Sequence, residues 1–317
     1  MTAARRALWM VGLLPALAAA LAAAESSAVD LLSLGRMNDA IAVLSRHDDP
    51  ESLHLLSRAY YATERWDDAV RYGERAVVLQ PDNAGYHLWL AREYGRKAGA
   101  ANPLTAANTA RKAKAEFERA VQLDPASTDA RVDLAQYYTE APVVMGGGLD
   151  KAREQAVQIA TRNPAEAQLV LARVAEKEKR YPEAENALRE AIRVGQSPAN
   201  YWLELAGFYR RRGRLDDMQA AVQHAVTQPG KSAEIYFDAA DELYQGGRNF
   251  PAAVQYLQEY LASGQVVESA PVFRAHYLLG ELYQGMGRGP AAISEYHVSL
   301  TLAPGFDRAR KALGRVQ

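Results

Sequence analysis

The stretch PESLHLLSRAYYATERWDDAVRYGERAVVLQPDN, residues 50–83, decides the fold. Counted from Pro50, its eighth residue is Ser57, its eleventh Tyr60, its twentieth Ala69, its twenty-seventh Ala76 and its thirty-second Pro81. The same marks return between Phe273 and Phe306, as Gly280, Tyr283, Ala292, Ser299 and Pro304. Between these two units the twentieth place can be followed as Ala40, Ala69, Ala113, Ala152, Ala184, Met218, Ala253 and Ala292. Tyrosines keep step at Tyr60, Tyr94, Tyr138, Tyr209, Tyr244 and Tyr283, with Ala175 in that place in the fifth unit. The pattern has a steric reason. A small residue lets two helices cross closely, and a ring beside it fills the wedge. Gly213, Gly247 and Gly287 fall between the helices of their units, where the backbone must leave the helical region at low steric cost. Pro81, Pro125, Pro164 and Pro304 are expected to close second helices. Alternating Val-, Ile- and Thr-rich runs are missing, so no strand is expected and the fold class is all-α.

A helix–turn–helix unit near 34 residues, marked by small residues, an aromatic and a closing proline, resembles the tetratricopeptide repeat. The resemblance covers essentially all of residues 25–317, as about eight units including a partial first. It implies a right-handed superhelical solenoid of antiparallel helix pairs, a single domain whose usual work is binding. In this family the first helix of each unit lines a concave groove for a peptide or a partner's helix. Transferred by position, the groove set is Arg58, Tyr61, Arg92, Arg96, Gln136, Arg173, Lys177, Arg210, Arg211, Glu242, Tyr277 and Glu281, with His54, Leu88, Leu169, Leu203, Ile235 and Asp238 among its neighbours. Basic residues dominate from Arg58 to Arg211 and acidic ones beyond. Arginine forks suit carboxylates, which implies a partly acidic segment along the basic stretch. The plainer reading lays these long side chains on the helix surface with their charged heads in water. The lysine by which chaperone-tail adaptors of the family grip a carboxylate is missing from every fifth place.

Residues 1–24 read as a secretory signal peptide: Arg5 and Arg6, an uncharged apolar run from Ala7 to Leu21, and a small-residue cleavage site near Ala24. The other reading is an uncleaved membrane anchor, although the run is Ala-rich, contains Pro15 and is barely long enough to span. Either way the expected location lies outside the cytoplasm, periplasmic or secreted. Removing these residues takes two arginines and no acid from 37 basic and 38 acidic residues, leaving a net charge of −3. That balance argues against nucleic-acid partners. Cysteine is absent, which excludes disulfides and thiol catalysis. Three irregularities are expected within the solenoid: an extended second helix near 98–123, with Asn102 as N-cap and Pro103 in its first turn; an inter-helix loop insertion near 140–150; and a basic capping helix near 305–317 that solvates the last open face.

Chemistry finds little purchase. Gly146-Gly147-Gly148 with Lys151 has the look of an anion nest, but no strand precedes it and Asp150 stands where an N-cap would occupy the amides. The six histidines show no metal-ligand spacing, and no Gly-x-Ser-x-Gly elbow occurs. No cofactor, metal or catalytic residue is therefore expected. The reading that remains is a non-catalytic scaffold for a protein or peptide partner, in envelope assembly or export. Its alternatives are an enzyme or regulatory subunit acting on envelope polymers, or a small-ligand carrier.

Overall fold

The computed structural model describes residues 27–316 apart from positions 197 and 266. The leader expected over residues 1–24 lies outside them. The described residues form helices and connecting turns with no strand. Eight antiparallel pairs run in order. They are α1 (27–33) with α2 (Met37–Leu44), α3 (Pro50–Ala62) with α4 (Trp66–Leu79), α5 (Ala84–Ala100) with α6 (Pro103–Leu123), and α7 (Thr128–Glu140) with α8 (Leu149–Ala160). Then come α9 (Pro164–Lys177) with α10 (Tyr181–Val194), α11 (Pro198–Arg211) with α12 (Leu215–Thr227), α13 (Glu234–Gln245) with α14 (Phe250–Ala262), and α15 (Val272–Gly285) with α16 (Gly289–Leu302). A last helix, α17, spans Asp307–Val316.

Four of the first helices, α3, α5, α7 and α9, start where a polar side chain takes up a free amide. Asp49, Asn83, Ser127 and Asn163 accept from the backbone N–H three residues on. Pro164 therefore does not close α8; it occupies the first turn of α9, where its missing N–H costs nothing. Six of the second helices start differently. The turn before them is a Schellman motif, made at Gly35, Glu64, Lys179, Gly213, Gly247 and Gly287, all with φ between +61° and +73°. The next residue is always arginine, at 36, 65, 180, 214, 248 and 288, and its N–H reaches the carbonyl five residues back. In three turns that carbonyl belongs to the recurring tyrosine, whose ring also carries the guanidinium: Arg65 over Tyr60, Arg214 over Tyr209 and Arg288 over Tyr283, at 4.3–4.7 Å.

The small residues that index the repeat are the packing centres. Ala40, Ala69, Ala113, Ala152, Ala184, Met218, Ala253 and Ala292 are all fully buried. In the third pair the lengthening is shared: residues 98–100 continue α5, and Asn102 caps α6 through the Thr105 amide at 3.2 Å. In the fourth, residues 141–148 form a short 3₁₀ turn at Val143–Met145 with its own bonds. Asp150 is not the N-cap of α8. Gly148 holds that place, and Asp150 pairs with Arg153 at 2.8 Å. The amides of Gly146, Gly147 and Gly148 go to the carbonyls of Val143, Pro142 and Tyr138, so no anion nest is open.

The curved row closes on itself. One buried cluster joins Met37, Leu44, Leu55, Leu56 and Tyr60 from the first two pairs to Phe273, Phe306 and Ala309 from the last helices. Arg58 Nε donates to Glu268 at 2.7 Å, Arg274 to the Ala62 carbonyl at 3.1 Å, and Arg308 to Glu64 at 3.1 Å. The last helix accordingly does not offer an open face to solvent. Its apolar side, with Ala309 and Ala312 fully buried, is packed, while Arg308 reaches back to Glu64 of the second pair and Arg315 to Glu281 of α15. Among the described residues no helix is long and apolar enough to cross a membrane.

Candidate partner-binding hollow

The inner side of this closed row is built from the first helices α3, α5, α7, α9, α11 and α13. Their exposed side chains line three adjoining depressions, and Gln136 of α7 contributes to each. The first holds Tyr61, Arg92, Arg96 and Gln136; the second Gln136, Arg173, Lys177 and Arg211; the third adds Arg210 and Glu242. Arg96 of α5 also lines the third depression together with residues of α9, α11 and α13, so the hollow is narrow.

Its charges are paired across neighbouring units. Arg92 of α5 donates to Asp133 of α7, Arg173 of α9 to Glu204 of α11 at 3.1 Å, and Arg210 of α11 to Glu242 of α13 at 2.8 Å. Arg211 reaches back to Glu176 of α9 at 2.9 Å. Arg92, Arg173, Arg210 and Arg211 of the expected basic stretch thus form a ladder of ion pairs, because a first helix brings a carboxylate level with its neighbour's guanidinium, while Arg96 and Lys177 make no ion pair among the described residues. Arg58 belongs to the closure through Glu268, and Trp89 lies between it and Arg92 at 5.0 and 5.2 Å. Lys177 is exposed, and Gln136 donates to Glu140 at 2.9 Å.

Two members of the expected set lie apart. Tyr277 packs against Phe306 and Tyr296 and carries Arg308 over its ring at 5.2 Å. Glu281 accepts from Tyr244, Tyr296 and Arg315, which occupies its carboxylate. Ile235 and His54 are buried, and burial with the nearby Arg58 pushes the His54 imidazole down to about 3. Asp238 faces the hollow among Glu204, Glu234, Asp241 and Glu242. Burial and then those like charges push its carboxyl up to about 7. Family position alone did not select Trp66, Phe117, Asp133 or Glu204. A signal for the acids was present, since the ladder partners stand 31–41 residues apart, close to one repeat.

Family profiles described as tetratricopeptide repeat match residues 143–193, 169–223, 237–305 and 50–83, together more than half of the sequence. No curated protein matches. Among solved structures, the protein is similar to a tetratricopeptide repeat protein from Parabacteroides merdae, with 15% identity over 84% of this sequence and 98% of that one and a TM-score of 0.44. It is also similar to a thermophilic TPR protein of Thermus thermophilus, with 19% identity over 69% and 97% and a TM-score of 0.44. A third is PilW, a type IV pilus biogenesis factor, with 18% identity over 71% and 97% and a TM-score of 0.42.

Proposed function

This chain belongs to the tetratricopeptide-repeat family, and from that premise we propose that it is a non-catalytic scaffold whose hollow receives a peptide segment or helix of a partner protein. The observation that carries the reading is the continuity of the hollow: depressions on α3 to α13 adjoin one another, and Gln136 is common to three of them. Ten of the twelve residues named from family position are the proposed contact set; of the other two, Tyr277 packs in the closing seam against Phe306, and Glu281 is held by Tyr244, Tyr296 and Arg315. The proposed location is outside the cytoplasm, on the strength of the leader-like residues 5–24, and the proposed setting is envelope assembly or export.

Lys177 and Gln136 are exposed in the hollow and take no part in the ion-pair ladder, so they test it without unpairing a charge. Affinity capture from an envelope extract should recover one stoichiometric protein. Lys177→Glu combined with Gln136→Trp should abolish recovery, whereas Arg193→Ala, on the outer helix α10, should leave it intact. Equal recovery by both variants would remove the hollow from the function.

A further inference from the structure

Val143 and Val144 are the most exposed large apolar side chains among the described residues, at 81% and 82%. They stand at the tip of the loop between α7 and α8, and the loop is built to hold them out. The amides of Gly146, Gly147 and Gly148 are bonded within it and to the end of α7, and Lys151 Nζ donates to the Gly146 carbonyl at 3.2 Å. Only glycine fits at 147, where a Cβ would come within 1.8 Å of the Ala141 carbonyl oxygen. Beside the tip, where α5 and α7 end, lies a depression of about 620 Å³. Tyr61 and Trp66 form one wall, with ring centroids 5.3 Å apart, and Phe117 and Tyr137 form the other, at 6.5 Å. Its floor is the exposed strip of α5 that carries Gly95 and Gly99, where a Cβ would meet nothing within 4 Å. Tyr137 belongs to both features, since its ring stands in the wall and its hydroxyl donates to the Met145 carbonyl of the loop at 2.8 Å.

We propose that this edge of the row is self-complementary, and that two copies of the chain pair across it about a two-fold axis, the Val143–Val144 tip of each entering the aromatic depression of the other. A projection and a hole side by side on one surface are what such a contact needs, because a two-fold axis between them delivers each to its counterpart. The chemistry agrees, since branched apolar side chains leave water for a site walled by four rings. So do the leftover charges. Lys151, beside the tip, makes no ion pair among the described residues, and neither does Glu140 at the mouth of the depression, which accepts from Gln136. The axis brings each Lys151 to the Glu140 of the other copy. Within the depression Arg92 and Asp133 answer each other, and Arg96 rests on the Tyr61 hydroxyl with Glu64 and Glu140 near it. Two such contacts lie at the small end of specific interfaces, roughly 1,200 Å² or less, so the dimer is reversible. The inference goes beyond the scaffold reading and stands without it, since the depressions around Arg173 and Arg210 lie on later pairs.

Sedimentation equilibrium of the full-length protein over a concentration series reads the pairing. The parent should pass from monomer to dimer as concentration rises. Val143→Asp combined with Val144→Asp spoils both tips, and Gly99→Gln lays a long polar side chain across both floors. Each variant alone should raise the dissociation constant at least tenfold. Their equimolar mixture keeps one intact contact, the tip of one chain in the depression of the other, and should associate more tightly than either variant by itself. Val157→Asp adds a charge at an exposed valine on the outer face of α8 and should dimerise like the parent. All four positions are exposed, so melting temperatures should stay near the parent's, which separates lost pairing from lost folding. A parent that stays monomeric at every concentration would overturn the proposal. So would a dimer that survives both variants, one that Val157→Asp disrupts as well, or a mixture no tighter than its components.

Discussion

At the scale of single residues, Glu93 departs furthest from ordinary chemistry. It is fully buried on α5, and neither carboxylate oxygen has a hydrogen-bond partner. The nearby Ser57 hydroxyl is committed to the His54 carbonyl at 2.8 Å. Gly73 on α4 makes the space: a Cβ there would come within 2.2 Å of the Glu93 carboxylate. Burial, with a smaller push from Glu74, raises the carboxyl to about 8, so the folded protein holds a proton that the unfolded chain releases near its ordinary value of 4.5. The sign follows from linkage. The group's contribution is fully present below pH 4.5, declines as pH rises, and is lost once pH passes about 8. Glu93→Gln keeps the shape without the titration. Its melting temperature should gain steadily on the parent between pH 5 and 8 and level off above, a series that differential scanning calorimetry can read; parallel curves would mean that Glu93 is ionised in the fold. Little of this was legible in the sequence, where Glu93 looks like any helix-surface acid beside Tyr94. Ala69 and Tyr60 announced themselves because their roles repeat, whereas the Glu93–Gly73 contact occurs in one unit.

At the scale of elements, the turn between the helices of a pair is the most repeated structure in the molecule. Three of its six examples were readable beforehand, because Gly213, Gly247 and Gly287 advertise the left-handed conformation that they adopt. Gly35 adopts it as well, while Glu64 and Lys179 do so with side chains attached and carried no such flag. The arginine that follows was missed for another reason. Its backbone closes the turn, and its guanidinium pairs forward with Asp39, Asp68, Glu183 or Asp217, contacts that look like ordinary surface charge until the turn is seen. The asymmetry between glycine and non-glycine turns is testable. Gly213→Ala adds a Cβ to the left-handed region and should cost roughly 1–2 kcal/mol. Lys179→Gly should recover up to about 1 kcal/mol, less whatever glycine gains in the unfolded state, since Lys179 is exposed and makes no ion pair among the described residues. Urea midpoints that moved in the same direction for both variants would mean that the turn geometry does not set the cost.

For the whole molecule, the decisive feature is the closure, and nothing in a repeat foretells it. Each unit fixes only its own crossing with the next, so the meeting of the ends depends on curvature summed over the row. The contacts that seal it join residues more than 200 positions apart, as Arg58 with Glu268 and Arg308 with Glu64 do. Glu64 illustrates the design: it holds a left-handed backbone conformation and faces both Arg274 and Arg308, so a strained turn carries the charge that meets the far end. The apolar part of the seam centres on Phe306, fully buried against Phe273 and Tyr277 in the cluster that contains Met37 and Leu44. Truncating Phe306 to Ala should leave a cavity there and cost about 3–5 kcal/mol. In an open solenoid that loss would loosen only the last helices, because each unit touches its neighbours alone. In the closed form it must be felt at both ends. Hydrogen exchange should therefore quicken in residues 28–44 as well as in 303–312, with 164–227 on the far side of the row little changed. High salt should add to the effect by screening the part-exposed pairs at Arg58 and Arg308. Faster exchange confined to 303–312 would show that the ends are not held together in solution, and the hollow would then be an open groove.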